Sequence, residues 1–177
     1  MPELKFHILT ANDKEYFDLI AGWYLNEWNI PIDKTRQNLE KVTNNNLEFH
    51  VIMTWGGKPI STGGIHNHVG LLDKAPKLKI HKNWLALVYT IPEHRQKGFG
   101  AMICEFIQNH SKVLGIEHLH LYTDTAERLY NRLGWTAIER LQIGSRNIVV
   151  MDKITKLKPA GYFGPNCARL FGFIAPV

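Results

Sequence analysis

The chain has 177 residues, of which 45% are hydrophobic and 21% charged, with a formal net charge of +5 at pH 7. These values are ordinary for one soluble globular domain with a sizeable core. No apolar run approaches the roughly 20 residues that a membrane helix needs, and residues 1–5 lack the apolar core of a signal peptide, so we expect a cytoplasmic protein. Lys and Arg are scattered along the chain, which argues against a nucleic-acid-binding protein.

The first third of the chain predicts a strand, two helices and a hairpin. The helices are indicated by apolar residues that recur on one side, and the hairpin by alternating apolar residues on either side of a Gly-Gly turn. In chain order these are a strand at 6–10, a helix capped by Asn12 or Asp13, a weaker helix at 33–42, a strand at 47–55, the turn Gly56-Gly57 and a return strand at 58–66. A loop at 69–82 follows.

The rest of the chain predicts a strand, turn and helix, a further strand, a short helix and a closing hairpin. These are a strand at 84–91 ending at Pro92, a helix from Phe99 to Leu114, a strand at 118–122, a helix at 125–133 capped by Asp124, and strands at 135–143 and 146–153. The sequence therefore predicts a single α/β domain over residues 1–153. We expect a mixed sheet of six to seven strands flanked by about four helices.

The stretch from Arg95 to Ala101 has the composition of a phosphate-binding turn. Gly98 and Gly100 let an anion approach the backbone, and the amides of Gln96 to Ala101 would open the following helix, whose dipole favours negative charge. The alternative is an ordinary strand-to-helix connection with incidental basic residues. The turn lacks the third glycine of a dinucleotide fingerprint, and no Walker motif occurs in the chain.

These residues resemble a known family. Arg95, Gly98 and Gly100 match the acyl-CoA signature [RQ]-x-x-G-x-[GA] of the GNAT superfamily of N-acyltransferases. Residues 126–135 resemble the family's later helix, which ends in Y-x-x-x-G-[FW] and here contains Tyr130. The resemblance runs from about residue 9 to residue 152, and the two motifs occur in the family's order.

The resemblance implies an acetyl-CoA-dependent N-acetyltransferase with acetyl-CoA as cosubstrate and no metal. Its acceptor would be a primary amine of a small molecule or a peptide. Tyr130 would be the general acid that protonates the departing thiolate, and a backbone N–H in the strand ending near Thr90 would hold the oxyanion. The implied cofactor-binding residues are Val88, Tyr89, Thr90, Arg95, Gln96, Lys97, Gly98, Phe99, Gly100, Ala101 and Thr123.

The general base is not assigned by the sequence. Many family members carry a glutamate on the central strand or on the fifth strand, but residues 85–91 and 118–122 contain none. A water chain or a residue from elsewhere would then have to deprotonate the amine. His118 and His120 share one face of their strand, and His66, His68 and Asp73 are further candidates, whereas Glu93 is more typical of a loop residue beside the cofactor. The missing carboxylate motivates an alternative function, a non-catalytic acyl-CoA-binding module.

Three further expectations concern the acceptor pocket, the cysteines and the C-terminal tail. Trp23, Trp28, Trp55 and Trp84 are candidates for lining the pocket. Cys104 and Cys167 lack metal-binding spacing, so we expect two free thiols. The aromatic tail, residues 154–177, is expected to pack on the domain or on a partner subunit, so the protein would be a monomer or a homodimer.

Overall fold

A computed structural model describes residues 2–156 of the chain. Within this part the helices are α1 (Lys14–Trp28), α2 (Ile32–Thr43), α3 (Leu71–Lys74), α4 (Phe99–Val113) and α5 (Glu127–Arg132). The strands are β1 (Leu4–Ile8), β2 (Phe49–Trp55), β3 (Lys58–His66), β4 (Trp84–Thr90), β5 (His118–Thr123), β6 (Thr136–Ile143) and β7 (Arg146–Ile154). The predicted tail at 154–177 and Cys167 lie, apart from residues 154–156, outside the described residues.

The seven strands form one sheet in the order β1-β2-β3-β4-β5-β7-β6. The strands β1 to β4 are antiparallel neighbours, as are β5, β7 and β6. The two groups meet where β4 runs parallel to β5, and their register there is the single pair Trp84–His120. The prediction of a mixed α/β sheet, parallel where α4 crosses over, is confirmed.

The helices cover both faces of the sheet, as the burial of β2 side chains on both sides indicates. Val51 and Met53 belong to the apolar cluster that α4 completes, whereas Ile52 belongs to the cluster under α1 and α2. Alternate residues of a strand point to opposite faces, so α1 and α2 lie on one face and α4 on the other. A third cluster forms around α3, Trp84 and β7.

Three local expectations are wrong. Asp13 does not cap α1 through its side chain; its carboxylate accepts from the Thr10 N–H and hydroxyl, both at 2.7 Å. Asp124 does not cap α5 but forms an ion pair with Arg146 at 2.7 Å.

The third concerns the predicted loop at 69–82, which contains α3 and a 3₁₀ turn at Pro76–Ile80. It folds because Leu71, Leu72 and Leu78 are buried against Trp84. Among the described residues, no helix is long and apolar enough to cross a membrane.

Candidate active site

The turn between β4 and α4, residues 96–101, forms a cradle of backbone groups. Gln96 and Gly98 adopt left-handed conformations, with φ of 61° and 87°, and Gly98 is the N-cap of α4. In the described structure no side chain caps this helix. Its first helical hydrogen bonds run from the N–H groups of Ala101 and Met102 to the Gly98 carbonyl, at 3.0 and 3.1 Å. The N–H groups before Ala101 therefore lie ahead of these bonds, at the positive end of the helix dipole, where an anion binds.

The surface over this cradle is open at both glycines. A Cβ atom at Gly98 would meet no heavy atom within 4 Å, and one at Gly100 would meet only the Thr90 Oγ1, at 3.8 Å. The protein itself therefore does not require small residues here for packing. Gly98 is required for its backbone conformation, which side chains rarely adopt.

The two cations beside the glycines, Arg95 and Lys97, are exposed but donate hydrogen bonds to the protein. Arg95 donates from Nε to the Thr90 carbonyl and from Nη2 to Glu27 of α1, both at 2.8 Å, and its guanidinium lies 5.4 Å from the centre of the Tyr89 ring. Lys97 donates to the carbonyl of Glu93 at 2.8 Å. Both side chains brace the turn, and the backbone amides and the helix dipole attract anions there in addition to the two positive charges.

The strand β4 carries a bulge immediately before the predicted cofactor-binding residues. Leu87 has a φ of 58°, which is strained for leucine. The register with β3 shifts there, so that Gly63 lies opposite the bulge. Past Trp84, no β4 residue is in register with β5 within residues 2–156. Val88, Tyr89 and Thr90 therefore have no ladder partner on β5, so their backbone groups on that side of β4 are not used by the sheet.

Tyr130 and Thr123 lie on the other strand–helix unit, β5 and α5. The Tyr130 ring belongs to the core cluster beneath α4 and is 9% exposed. Burial raises the pKa of its hydroxyl, with a further contribution from Cys104. The Thr123 Oγ1 accepts from the N–H groups of Thr125 and Ala126, at 3.3 and 2.9 Å, and so stabilises the turn into α5. The Tyr130 phenol is therefore protonated at neutral pH, as a general acid must be.

The model of the family described as "Acetyltransferase (GNAT) domain" matches residues 48–137. The chain belongs to the GNAT acetyltransferase family. By that membership it is an acetyl-CoA-dependent N-acetyltransferase. No curated protein matches the sequence of this acetyltransferase.

Solved structures of other acetyltransferases share its fold at low sequence identity. A GNAT-family acetyltransferase from Streptococcus pneumoniae is 15% identical, with a TM-score of 0.65 over 86% of this chain and 99% of that one. An aminoglycoside 6'-N-acetyltransferase complexed with coenzyme A is 13% identical, with a TM-score of 0.68 over 88% and 99%. A variant of the spermidine N-acetyltransferase of Vibrio cholerae is 16% identical, with a TM-score of 0.63 over 86% and 94%.

Four candidate bases of this acetyltransferase have hydrogen-bond partners of their own, and Glu93 lies in the 3₁₀ turn Pro92–His94, just before the cradle. His118 contacts Asp152 at 2.8 Å, and His120 contacts the Lys82 carbonyl at 2.7 Å. Both are on the first half of β5, whereas the cradle follows the last residue of β4. His68 and Asp73 form an exposed pair at 3.0 Å. Across residues 2–156, no three His, Cys, Asp or Glu side chains are grouped to hold a metal ion.

The tryptophans are divided between the two faces of the sheet. Trp23 and Trp28 both contact the Tyr89 ring, at centroid distances of 5.4 and 6.0 Å, and Trp28 is 42% exposed. Trp55 instead packs on Phe99 at the start of α4, and Trp84 is fully buried. Only the first two therefore lie beside Tyr89, near the end of β4 that leads to the cradle.

Sequence reasoning missed a buried polar group on that face. The Tyr24 hydroxyl donates to the carbonyl of Leu87 at 2.7 Å and lies 3.1 Å from Nε2 of His50. The other ring nitrogen of His50 lies 3.0 Å from Nε2 of His66. Helical periodicity places Tyr24 on the apolar side of its helix, and strand alternation places His50 on the outer face of a half-buried strand. No local pattern distinguishes these residues from ordinary core and surface positions.

Proposed function

We propose that this chain transfers the acetyl group of acetyl-CoA directly to a primary amine of a small molecule or a peptide. The observation that carries the proposal is that two adjacent backbone segments, the end of β4 and the start of α4, have groups free to bind a ligand. The end of β4 has no ladder partner on β5, and the chain then leads to the first turn of α4, which no side chain of the described residues caps. A pantetheine arm has amide groups that can pair with an exposed strand edge, and a pyrophosphate suits a helix N-terminus.

In this proposal the cofactor-binding backbone consists of Val88 to Thr90 and the cradle at 96–101. Arg95 acts by holding the turn, and Thr123 acts by shaping the start of α5. The match to a structure complexed with coenzyme A, at 13% identity, supports the use of the same fold for this ligand.

The chemistry requires one bond to form and one to break. The acceptor nitrogen attacks the thioester carbon, and the negative charge that develops on its oxygen is stabilised by a backbone N–H of β4. The C–S bond then breaks, and the Tyr130 phenol gives its proton to the departing thiolate. The proton of the amine leaves to water, because residues 85–91 and 118–122 contain no carboxylate.

In this proposal the amine acceptor binds on the α1 face of the sheet, beside the end of β4. Trp28 and Tyr89 form an aromatic wall there, and the exposed part of Trp28 is available to a substrate. Aromatic faces attract ammonium groups, which suits an amine acceptor. The aminoglycoside and spermidine acetyltransferases that share the fold are named for amine substrates, and this supports the acceptor class.

The test is calorimetric titration with acetyl-CoA and CoA, followed by thiol release against a panel of amines. We expect micromolar binding and amine-dependent release. Binding without release against every amine would favour the non-catalytic acyl-CoA-binding module, which the missing strand carboxylate also favours. Absence of binding would contradict both functions.

The acid assignment has its own test, the substitution Tyr130→Phe. We expect kcat to fall by about 10²-fold, as is typical for loss of a general acid, with the affinity for CoA unchanged. Tyr16→Phe, which removes a partly exposed hydroxyl from α1, is the control and should keep the wild-type rate. Equal rates for wild type and Tyr130→Phe would show that another group protonates the thiolate.

A further inference from the structure

A chain of three buried side chains connects the core of the α1 face to the bulge of β4. It runs from His66 to His50, from His50 to Tyr24, and from Tyr24 to the Leu87 carbonyl, through contacts of 3.0, 3.1 and 2.7 Å. The exposed fractions of Tyr24, His50 and His66 are 0%, 0% and 1%. Buried polar groups are usually explained by a hydrogen-bonding need, and here the series of hydrogen bonds ends on Leu87, the strained residue immediately before Val88.

The direction of the hydrogen bonds follows from counting protons. The only Tyr24 hydroxyl proton is donated to Leu87, so Nε2 of His50 must carry a proton to bond the Tyr24 oxygen. A neutral imidazole has one N–H, so Nδ1 of His50 accepts from the Nε2–H of His66. Burial lowers the pKa of both imidazoles, and His66 adds to the effect at His50. Both imidazoles are therefore neutral at pH 7. The hydrogen bonds are therefore all donated in one direction, from His66 to His50, from His50 to Tyr24, and from Tyr24 to the Leu87 carbonyl.

The strand β3 has two adjacent glycines, at the positions that His50 and the bulge of β4 approach closely. A Cβ atom at Gly64 would lie 2.3 Å from the Phe49 carbonyl oxygen and 2.5 Å from Nδ1 of His50. At Gly63 it would lie 3.1 Å from the Val88 side chain. Glycine weakens a strand interior, so its presence at both positions is explained by the close approach of His50 and of the bulged strand.

We propose that Tyr24, His50 and His66 are positioning residues for acetyl transfer. Their hydrogen bonds fix the Leu87 carbonyl and with it the peptide plane that joins Leu87 to Val88. In a trans peptide the C=O and N–H point in opposite directions, so a carbonyl held toward α1 directs the Val88 N–H away from α1. The inference rests on the proposed function, in which the β4 backbone stabilises the thioester oxygen.

Tyr24→Phe tests the contact to the bulge itself. Because the residues of the cradle are untouched, we expect the calorimetric affinity for acetyl-CoA to change by less than about threefold. We expect kcat to fall by about tenfold, less than the 10²–10³ that loss of an oxyanion donor produces. The matched control is Thr155→Val, which removes another buried hydroxyl from a backbone carbonyl, that of Ile116. It should keep the wild-type kcat.

A pair of variants at His66 separates positioning from packing. His66→Gln keeps an N–H donor near the position of Nε2, whereas His66→Met has a similar size and no donor. We expect the glutamine variant to retain most of the wild-type kcat and the methionine variant to lose as much as Tyr24→Phe. Equal losses in both, or unchanged kcat in Tyr24→Phe, would overturn the positioning role while the activity of the wild type upheld the proposed function.

A spectroscopic measurement on the wild type does not depend on whether the variants fold. The ¹⁵N shifts of the imidazole nitrogens report which one carries the proton. We expect His50 to be the Nε2–H tautomer at neutral pH, and the Nδ1–H tautomer or a charged ring would overturn the inference. A wild-type protein that neither binds acetyl-CoA nor releases thiol would instead contradict the proposed function, whatever the tautomer.

Discussion

At the scale of single residues, the site depends on backbone conformations that few residues adopt. Gly98 has a φ of 87° and Leu87 a φ of 58°. Glycine adopts such a conformation without strain, whereas leucine is strained by it. The conformation of Gly98 is therefore explained by its residue type alone. That of Leu87 needs support from a neighbour, and the Tyr24 hydroxyl provides it through a hydrogen bond of 2.7 Å to the Leu87 carbonyl.

Replacing Gly98 with a β-branched residue should abolish tight cofactor binding. In Gly98→Val the Cβ would project into the open surface of the cradle, where the phosphate is expected to approach. The left-handed conformation would also be strained, by about 1–2 kcal/mol. We expect the calorimetric affinity for CoA to fall by at least about tenfold, which corresponds to about 1.4 kcal/mol.

Gly115→Val is the matched control for this substitution. Gly115 follows the other end of α4 and has a φ of 72°, and a Cβ atom there would also meet no heavy atom within 4 Å. Urea unfolding should show similar destabilisation of both variants, with CoA affinity lost only in Gly98→Val. Unchanged affinity in Gly98→Val would contradict the cradle.

At the scale of elements, local periodicity predicted most of the fold. The strand starting at His118, the helix starting at Phe99 and the closing hairpin are found where the sequence predicted them, within about two residues. Regular burial on one face produces these patterns. The same patterns did not predict the segment 71–80, because its leucines are buried by contacts to the distant β7 rather than by a regular repeat.

In the candidate site too, the parts formed by local contacts could be predicted from the sequence, and the parts formed by distant contacts could not. The glycine turn was recognisable because its signal lies within a few residues. The direction of the Arg95 side chain was not, since its acceptor Glu27 is 68 positions away. The Tyr24–His50 contact was also hidden, since it joins residues 26 positions apart and uses the second buried face of β2.

The link between α1 and the turn leads to a prediction for Arg95. If the guanidinium acts as a brace, charge alone is insufficient, because an ammonium cannot bond the Thr90 carbonyl and Glu27 together in the same planar geometry. We expect Arg95→Lys to weaken CoA binding by about fivefold, or roughly 1 kcal/mol, since the pair is partly exposed and each contact contributes little.

Lys97→Arg is the control for that substitution. It also exchanges one cation for the other, at a residue whose side chain makes one hydrogen bond within residues 2–156, to the Glu93 carbonyl. Calorimetry should give it the wild-type affinity. If Arg95→Lys also binds CoA as the wild type does, the positive charge and not the brace is what the turn requires.

At the scale of the whole molecule, the described sheet consists of two antiparallel halves. Strands β1 to β4 form one, and β5, β7 and β6 form the other, with a single register pair between them. One apolar cluster contains residues from both halves and from α4, among them Ile65, Ile107 and Leu121. The core therefore holds the two halves together, so β4 and β5 do not need to pair along their whole length.

His50 and His66, which are buried on the α1 face, make the stability of the core dependent on pH. Burial lowers the pKa of His66 from 6.5 to about 4 and that of His50 well below 6.5. Between about pH 6.5 and pH 4 the unfolded chain therefore binds protons that the folded chain does not. Stability is fully present above pH 6.5 and falls as the pH falls through this interval, by up to about 1.4 kcal/mol per pH unit for each imidazole.

Urea unfolding at pH 7, 6 and 5 measures this effect, and the double variant His50→Gln/His66→Gln isolates it. The glutamines do not titrate, so the variant should lose less stability between pH 7 and pH 5 than the wild type, even if it is less stable at pH 7. The exposed pair His68–Asp73 remains in both proteins and cancels in the comparison. Parallel pH profiles for the two proteins would mean that these imidazoles are not buried in the neutral form. In that case the directed hydrogen bonds to the Leu87 carbonyl would not exist.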